Sequence, residues 1–382
     1  MVISARALNR ATLARQLLLG REQVDTVEAL RRLVALQAQQ AASPYIALWN
    51  RIHGFDPAEL DAALGDRRIV KATLMRVTLH AVHAEDYRGF REAMEPTLRS
   101  SRLGDARFRS SGLTGEDADA LLPDLLKHTG RPRGSAELGE WLEARLGRPL
   151  ENGAQRMLRQ YAPLWHAPTG GPWTFTNRLS YVAAAPRPAL GDPRAAEAGL
   201  RDLILRYLAG FGPASMADMA QFAMVHRPRV RAAVAALADG LEQLEGPDGT
   251  VLYDVPGAPR PVEDTPAPPR LMAMWDSVLL AYADRGRVLP PDYRKRVIRV
   301  NGDVLPTLLV DGHVAGVWRV ADDGIEAGAF QRLPEGTWEE LAAEARALVA
   351  FLAARDLRAY ARYDHWWAKG VSAAETRLLP GG

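Results

Sequence analysis

Residues 151–176 read ENGAQRMLRQYAPLWHAPTGGPWTFT, and the change of pattern along them decides the fold. Glu151 to Tyr161 has the spacing of a helix, and then two short strands, Leu164–Ala167 and Trp173–Thr176, flank the turn-rich tip Pro168-Thr169-Gly170-Gly171-Pro172. Upstream, Glu116 to Thr129 predicts one helix and Ser135 caps another over Ala136–Leu146. Three helices followed by a two-stranded hairpin is the winged-helix order, a helix-turn-helix variant whose third helix usually faces nucleic acid and whose hairpin is the wing.

Working outward, the order recurs downstream. Helices are expected over Ala195–Ala209, over Met216–Met224 after the cap Gly212-Pro213-Ala214-Ser215, and over Pro228–Ala238, with strands Leu241–Glu245 and Val251–Val255 around Gly246-Pro247-Asp248-Gly249. Upstream of residue 113, Thr12 to about Gln40 reads as two helices, the second capped at Asp25 or Thr26 with Val27, Leu30, Leu33, Val34 and Leu36 at helical spacing. Tyr45–Ile52 and a short segment from Asp56-Pro57 through Leu64 continue as helix, and Ile69–Val82 turns to strand composition. In both clear copies the third helix is basic, with Arg156 and Arg159 in one and Arg227, Arg229 and Arg231 in the other.

Pro256 to Pro269 holds six prolines, which cannot join a packed helix and mark a boundary or surface crossing. Beyond it, Arg294–Val300, Val304–Val310 and Val314–Val320 read as strands joined by Asn301-Gly302 and Asp311-Gly312, residues that tolerate the positive φ of tight turns. Trp338–Asp356 predicts a closing amphipathic helix, and the last dozen residues are expected to fray. The expected fold class is therefore α+β and mainly helical: three tandem winged-helix modules (1–112, 113–190, 191–258), then a C-terminal β-hairpin-rich region and helix (259–382).

Composition narrows the chemistry. The 382 residues are 47% hydrophobic and contain no cysteine, which removes disulfides, thiol nucleophiles and cysteine-ligated metals. No apolar run approaches the roughly 18 residues of a membrane span or a secretory core, so a cytoplasmic address without membrane contact is expected. The net charge is +2, and the cations are arginine apart from Lys71, Lys127, Lys295 and Lys369; a planar guanidinium suits phosphate. There is no P-loop, dinucleotide fingerprint, serine elbow or zinc-helix motif. His80 and His83 would point to opposite faces of a strand, so no metal and no cofactor is expected.

Leu36-Gln37-Ala38-Gln39-Gln40 places amides at the end of a predicted helix. On a continuous helix Gln37 and Gln39 diverge; where the chain unwinds before Pro44 they can converge. Taken alone, the residues read as solvated polar positions at a helix end.

The Leu-Gln-Ala-Gln motif, Pro44-Tyr45-Ile46-Ala47-Leu48-Trp49-Asn50-Arg51 and Met75-Arg76-Val77-Thr78-Leu79-His80 resemble the winged-helix DNA glycosylase superfamily, within it most closely the branch that unhooks interstrand crosslinks in antibiotic self-resistance. Asp284-Arg285 through Asn301-Gly302, Leu309-Val310-Asp311-Gly312 and Gly316-Val317-Trp318-Arg319 fit the same family. The resemblance covers nearly the whole chain and implies winged helices enclosing double-stranded DNA, with Gln37 and Gln39 as its catalytic Gln-x-Gln. Neutral amides cannot act as a general base. They suffice for a purine alkylated at N7 or N3, which is already cationic and leaves through a sugar cation, so that the enzyme only holds a water and places carbonyl dipoles. An abasic product without strand cleavage is implied, because no lysine lies in the motif. DNA contacts are expected from Arg51, Arg76 and His80, with Arg76, Thr78 and His80 sharing a strand face, and from the basic stretch Arg285, Arg287, Arg294, Lys295 and Arg296. A non-catalytic transcription regulator is the rival reading, and a monomer is expected.

Overall fold

The computed structural model describes residues 2–381. Its strands, in chain order, begin with β1 (Leu36–Gln37), β2 (Ile69–Thr73), β3 (Leu79–His83), β4 (Arg133–Gly134), β5 (Leu164–His166) and β6 (Ser180–Ala183). These six form one sheet in the order β1-β3-β2-β5-β6-β4. Two hairpins therefore meet edge to edge, with Lys71 of β2 registered opposite His166 of β5, and the sheet crosses the 112/113 division.

The expected helices of the middle stretch form over Gly115–His128, Ser135–Leu146 and Asn152–Tyr161. The first begins in a capping box between Thr114 and Asp117, which satisfies two otherwise orphaned N–H groups. The returning strand of the hairpin is β6, not Trp173–Thr176. Trp173 is drawn instead into tertiary contact, its ring 5.2 Å from that of Tyr45 and its Nε1 donating to Asp356 at 3.3 Å. Downstream, helices Pro193–Phe211, Met216–Ala223 and Arg227–Ala236 lead to the hairpin β7 (Glu242–Glu245) and β8 (Val251–Asp254).

Near the N-terminus the helices are Ala5–Arg15 and Thr26–Arg32, and Asp25 caps the second by accepting from Val27 and Glu28. That helix stops short of the glutamines. Val34 adopts a φ of 68°, and Leu36–Gln37 then pairs with β3 as a strand. The expected single strand Ile69–Val82 is two antiparallel strands around a tight turn at Met75–Val77, where Arg76 and Val77 have φ of 52° and 59°. A residue pattern shared by two apolar strands hides the turn between them because no glycine marks it.

No element is expected from the pattern over 84–112, yet Ala84–Leu103 is a 20-residue helix. His83 caps it by accepting from Glu85 N at 3.3 Å, and Glu85 and Asp86 in the first turn complement the helix dipole. It packs along Pro193–Phe211 so closely that a Cβ on Gly199 would collide with the Gly89 carbonyl.

The C-terminal part adds β9 (Arg270–Leu271), β10 (Thr307–Val310), β11 (His313–Ala321), β12 (Gly324–Ala329) and β13 (Glu375–Pro380) in the sheet order β13-β12-β11-β10-β9. Asp311 and Gly312 take positive φ at the β10–β11 turn, as their residue types require. Arg294–Val297 is a single helical turn rather than a strand. The last residues do not fray: β13 pairs with β12, with Leu379 buried opposite Ile325. Its pattern is short and polar, so it is readable only beside its partner. The closing helix runs Glu335–Ala353.

One continuous apolar core joins Leu30, Ile46 and Ile69 to Leu203 and Val230 and to Trp318 and Leu348, whereas helices 115–161 keep a second core around Leu121, Leu142 and Met157. Two buried ion pairs tie distant segments together, Arg15 to Asp254 and Arg51 to Asp276.

Candidate active site and DNA interface

Gln37 sits on β1 opposite His80 on β3, so the sheet register brings the two residues to one face. Arg76 reaches the same point from the tight turn. Its Nη2 donates to Oε1 of Gln37 at 2.9 Å and approaches Nε2 of His80 at 3.0 Å, while Nη1 donates to the Phe222 carbonyl at 3.1 Å. Phe222, on the helix Met216–Ala223, thereby borders the site, and the Arg76 guanidinium lies 5.5 Å from its ring.

The protonation states follow from these bonds. His80 is fully buried, and its Nδ1 lies 3.1 Å from the Thr78 carbonyl. Nδ1 therefore carries the proton and donates to that carbonyl, leaving the Nε2 lone pair for Arg76. Burial and then the Arg76 charge hold His80 well below its ordinary pKa, so it stays neutral. Burial and then the nearby Arg285 charge push Arg76 down to about 10, which still leaves it a cation at neutral pH. No carboxylate bonds to Gln37, Arg76 or His80 among the described residues.

Gln37 is buried and its carbonyl is committed to Arg76, so its amide N–H groups are what it has left to offer. Gln39 lies beyond the strand end, where the chain bends, and is exposed. Ala38 between them is buried and extends the ladder by donating to the Leu79 carbonyl at 2.8 Å. Gln40 turns away and donates to the Ala359 carbonyl at 2.8 Å.

The other expected DNA contacts divide. Arg51 is a correction: its side chain is wholly buried, bonded twice to Asp276 at 2.8 Å and also to the Gln16 and Ala47 carbonyls, so it holds the fold and cannot meet DNA. Arg76 and His80 do meet, through the turn rather than by alternation along one strand. Arg287 donates to the Pro213 carbonyl at 2.8 Å and covers the Tyr282 ring, and Arg296 donates to the Ser372 carbonyl at 3.3 Å. Arg285 is half-buried, and burial followed by the Arg294 charge holds its pKa down. Arg294 and Lys295 are exposed, with no hydrogen-bond or ion-pair partner among the described residues. In the third helices Arg156, Arg227 and Arg231 are exposed, while Arg229 is bonded to Glu197 at 2.8 Å.

One residue escaped the sequence reading. Lys71 lies in the middle of the apolar run Ile69-Val70-Lys71-Ala72-Thr73 and is only 6% exposed. The signal that could have found it is a lone lysine inside a strand of a chain that otherwise uses arginine.

The family model described as DNA glycosylase AlkZ-like matches residues 30–351. The chain belongs to the AlkZ-like DNA glycosylase family. It is 26% identical over 356 residues to the interstrand DNA cross-link repair glycosylase of Streptomyces sahachiroi, covering 86% of this chain and 92% of that relative. The fold superposes on the Streptomyces sahachiroi DNA glycosylase AlkZ with a TM-score of 0.77 at 22% identity, over 90% of this chain and 96% of the other. The AlkZ-like chain is thus matched from its first sheet to its closing helix. No helix among the described residues is long and apolar enough to cross a membrane.

Proposed function

We propose that this AlkZ-like protein hydrolyses the N-glycosidic bond of cationic N7- or N3-alkylated purines in double-stranded DNA, and that it unhooks N7-linked interstrand crosslinks, leaving an abasic site with no strand cleavage. The observation that carries the reading is the neutral amide of Gln37 fixed beside the Arg76–His80 pair, with no carboxylate bonded to these three among the described residues; Gln39 follows two residues on as an exposed second amide. A site without an acid suits a base that is cationic before it leaves. Arg76 takes the Gln37 carbonyl and polarises the amide, so that the Gln37 N–H groups and the free Gln39 carbonyl hold the attacking water between them. The Gln39 dipole then lies near the positive charge developing on the sugar.

DNA would be gripped by the exposed Arg294 and Lys295 and by the exposed arginines of the third helices, in a monomer that needs no cofactor. We read 1–112, 113–190 and 191–258 as the three winged-helix units that contribute these surfaces, and 259–382 as the C-terminal region that closes them. Support comes from the recurring order of helices and hairpins.

The test is incubation with duplexes carrying N7-methylguanine or an N7-linked crosslink, followed by alkali. Abasic product is expected from both and none from uracil-containing duplex. Failure to release any cationic base ends the proposal. Gln37→Ala and Gln39→Ala should each abolish release with duplex affinity within several-fold of the parent.

A further inference from the structure

A cavity of about 250 Å³ opens beside Gln39 where the two hairpins of the first sheet join, lined by Gln39, Lys71, His166, Thr176, Arg178 and Arg362 among others. Its wall holds three cationic side chains, several hydroxyls and amides, and no carboxylate among the described residues. Lys71 is the unusual member. It is 94% shielded, its Nζ stands 4.2 Å over the Phe175 ring, and no hydrogen-bond or ion-pair partner for it exists among the described residues. Burial pushes its amine down to about 8, and burial followed by the charge of Lys71 pushes the neighbouring His166 down to about 3.

A buried cation is normally paired, because taking a charge from water costs several kcal/mol unless an opposite charge replaces it. Here the protein supplies only further cations and neutral donors. A small anion seated in the cavity would supply the missing charge, and one carried on a larger molecule would bring that molecule beside Gln39. A phosphate of a duplex backbone does both.

We propose that this cavity, on the face of the sheet opposite Gln37 and His80, is a phosphate subsite in which Lys71, assisted by Arg178 and Arg362, takes one backbone phosphate of the strand whose lesion faces Gln39, so fixing that strand beside Gln39. This rests on the glycosylase reading for the strand's placement. Lys71 is then a substrate-positioning residue, not a nucleophile.

The test is a cycle between protein and DNA. Full-length protein and Lys71→Met, which keeps the stem on Phe175, are titrated with duplexes holding an uncleavable abasic analogue and one neutral methylphosphonate at each neighbouring position. The unaltered protein should lose about tenfold in affinity at one or two adjacent positions, as for a charge-assisted hydrogen bond. Lys71→Met should show about the same loss on unmodified duplex, none further at those positions, and a salt dependence shallower by about 0.9 in the log–log slope. A position-specific loss that persists in Lys71→Met, or unchanged affinity of that variant, overturns the subsite.

If Lys71→Met does not fold, acylation of the four lysines of the unaltered protein gives the answer by mass spectrometry. Duplex should protect Lys71, and a methylphosphonate at the sensitive position should remove that protection. Equal protection by inorganic phosphate alone would replace the backbone with a free anion and overturn the assignment, as would no protection at all. Alkali-labile product from N7-methylguanine duplex reports separately on the glycosylase reading, so either can fail alone.

Discussion

Arg76 donates to the side-chain carbonyl of Gln37 across 2.9 Å, from a turn in which Arg76 itself holds a positive φ of 52°. The bond settles which end of the Gln37 amide is free. Arg76→Lys, a single donor on a flexible stem, cannot serve Gln37, His80 and Phe222 together. Its expected effect is a fall in single-turnover excision of about 10- to 100-fold, the worth of a hydrogen bond to a charged group, with duplex affinity within about threefold. An unchanged excision rate would remove Arg76 from the site.

Arg51 and Asp276 form the contrasting case, a pair entirely within the fold. Arg51→Met should lower unfolding free energy by about 3–5 kcal/mol because Asp276 is left charged and unpaired. The double variant Arg51→Met with Asp276→Leu should recover most of it. Urea denaturation reads both, and duplex binding by the folded fraction should be unaffected; a selective loss of binding with normal stability would restore Arg51 to the DNA surface.

Acid should destabilise the protein early. His80 and His166 have folded-state pKa values below the ordinary 6.5, His166 at about 3, so the unfolded chain binds these protons more tightly. Their stabilising contribution is complete above about pH 6.5 and is lost as pH falls from there toward 3. Thermal midpoints measured from pH 8 to 4 should decline over that window, and His166→Gln should make the decline shallower. Because His80 stays neutral, the excision rate should show no inflection near pH 6.5.

Arg294 and Lys295 are exposed and have no hydrogen-bond or ion-pair partner among the described residues. Lys295→Ala should reduce the slope of log affinity against log salt by about 0.9 and leave stability within about 0.5 kcal/mol. Arg287→Ala should instead cost stability, since that guanidinium is bonded to Pro213 and covers Tyr282. A reversed pattern would show that the basic stretch faces the other way.

What the sequence made legible follows from how local each signal is. Asp25 before Thr26, Asp311-Gly312 and the order of helices over 115–161 are written in neighbouring residues, and the structure carries them out. Gln37 was misplaced on a helix because Leu33, Val34 and Leu36 have helical spacing, whereas β3 decides their conformation from more than forty residues away. The helix Ala84–Leu103 was missed because Arg91, Glu92 and Glu95 interrupt its apolar face; they are buried, Arg91 bonded to Glu95 and to the Tyr161 carbonyl. Arg51 looked like a DNA contact because nothing near it in the chain announces Asp276. The motif glutamines could be named from resemblance, but the Arg76 bond that divides their roles depends on a turn no composition marks.

The single registered pair Lys71–His166 welds two hairpins into one sheet, and with it two units that a linear reading keeps apart. Separating the two hairpins would break backbone pairing at that register point.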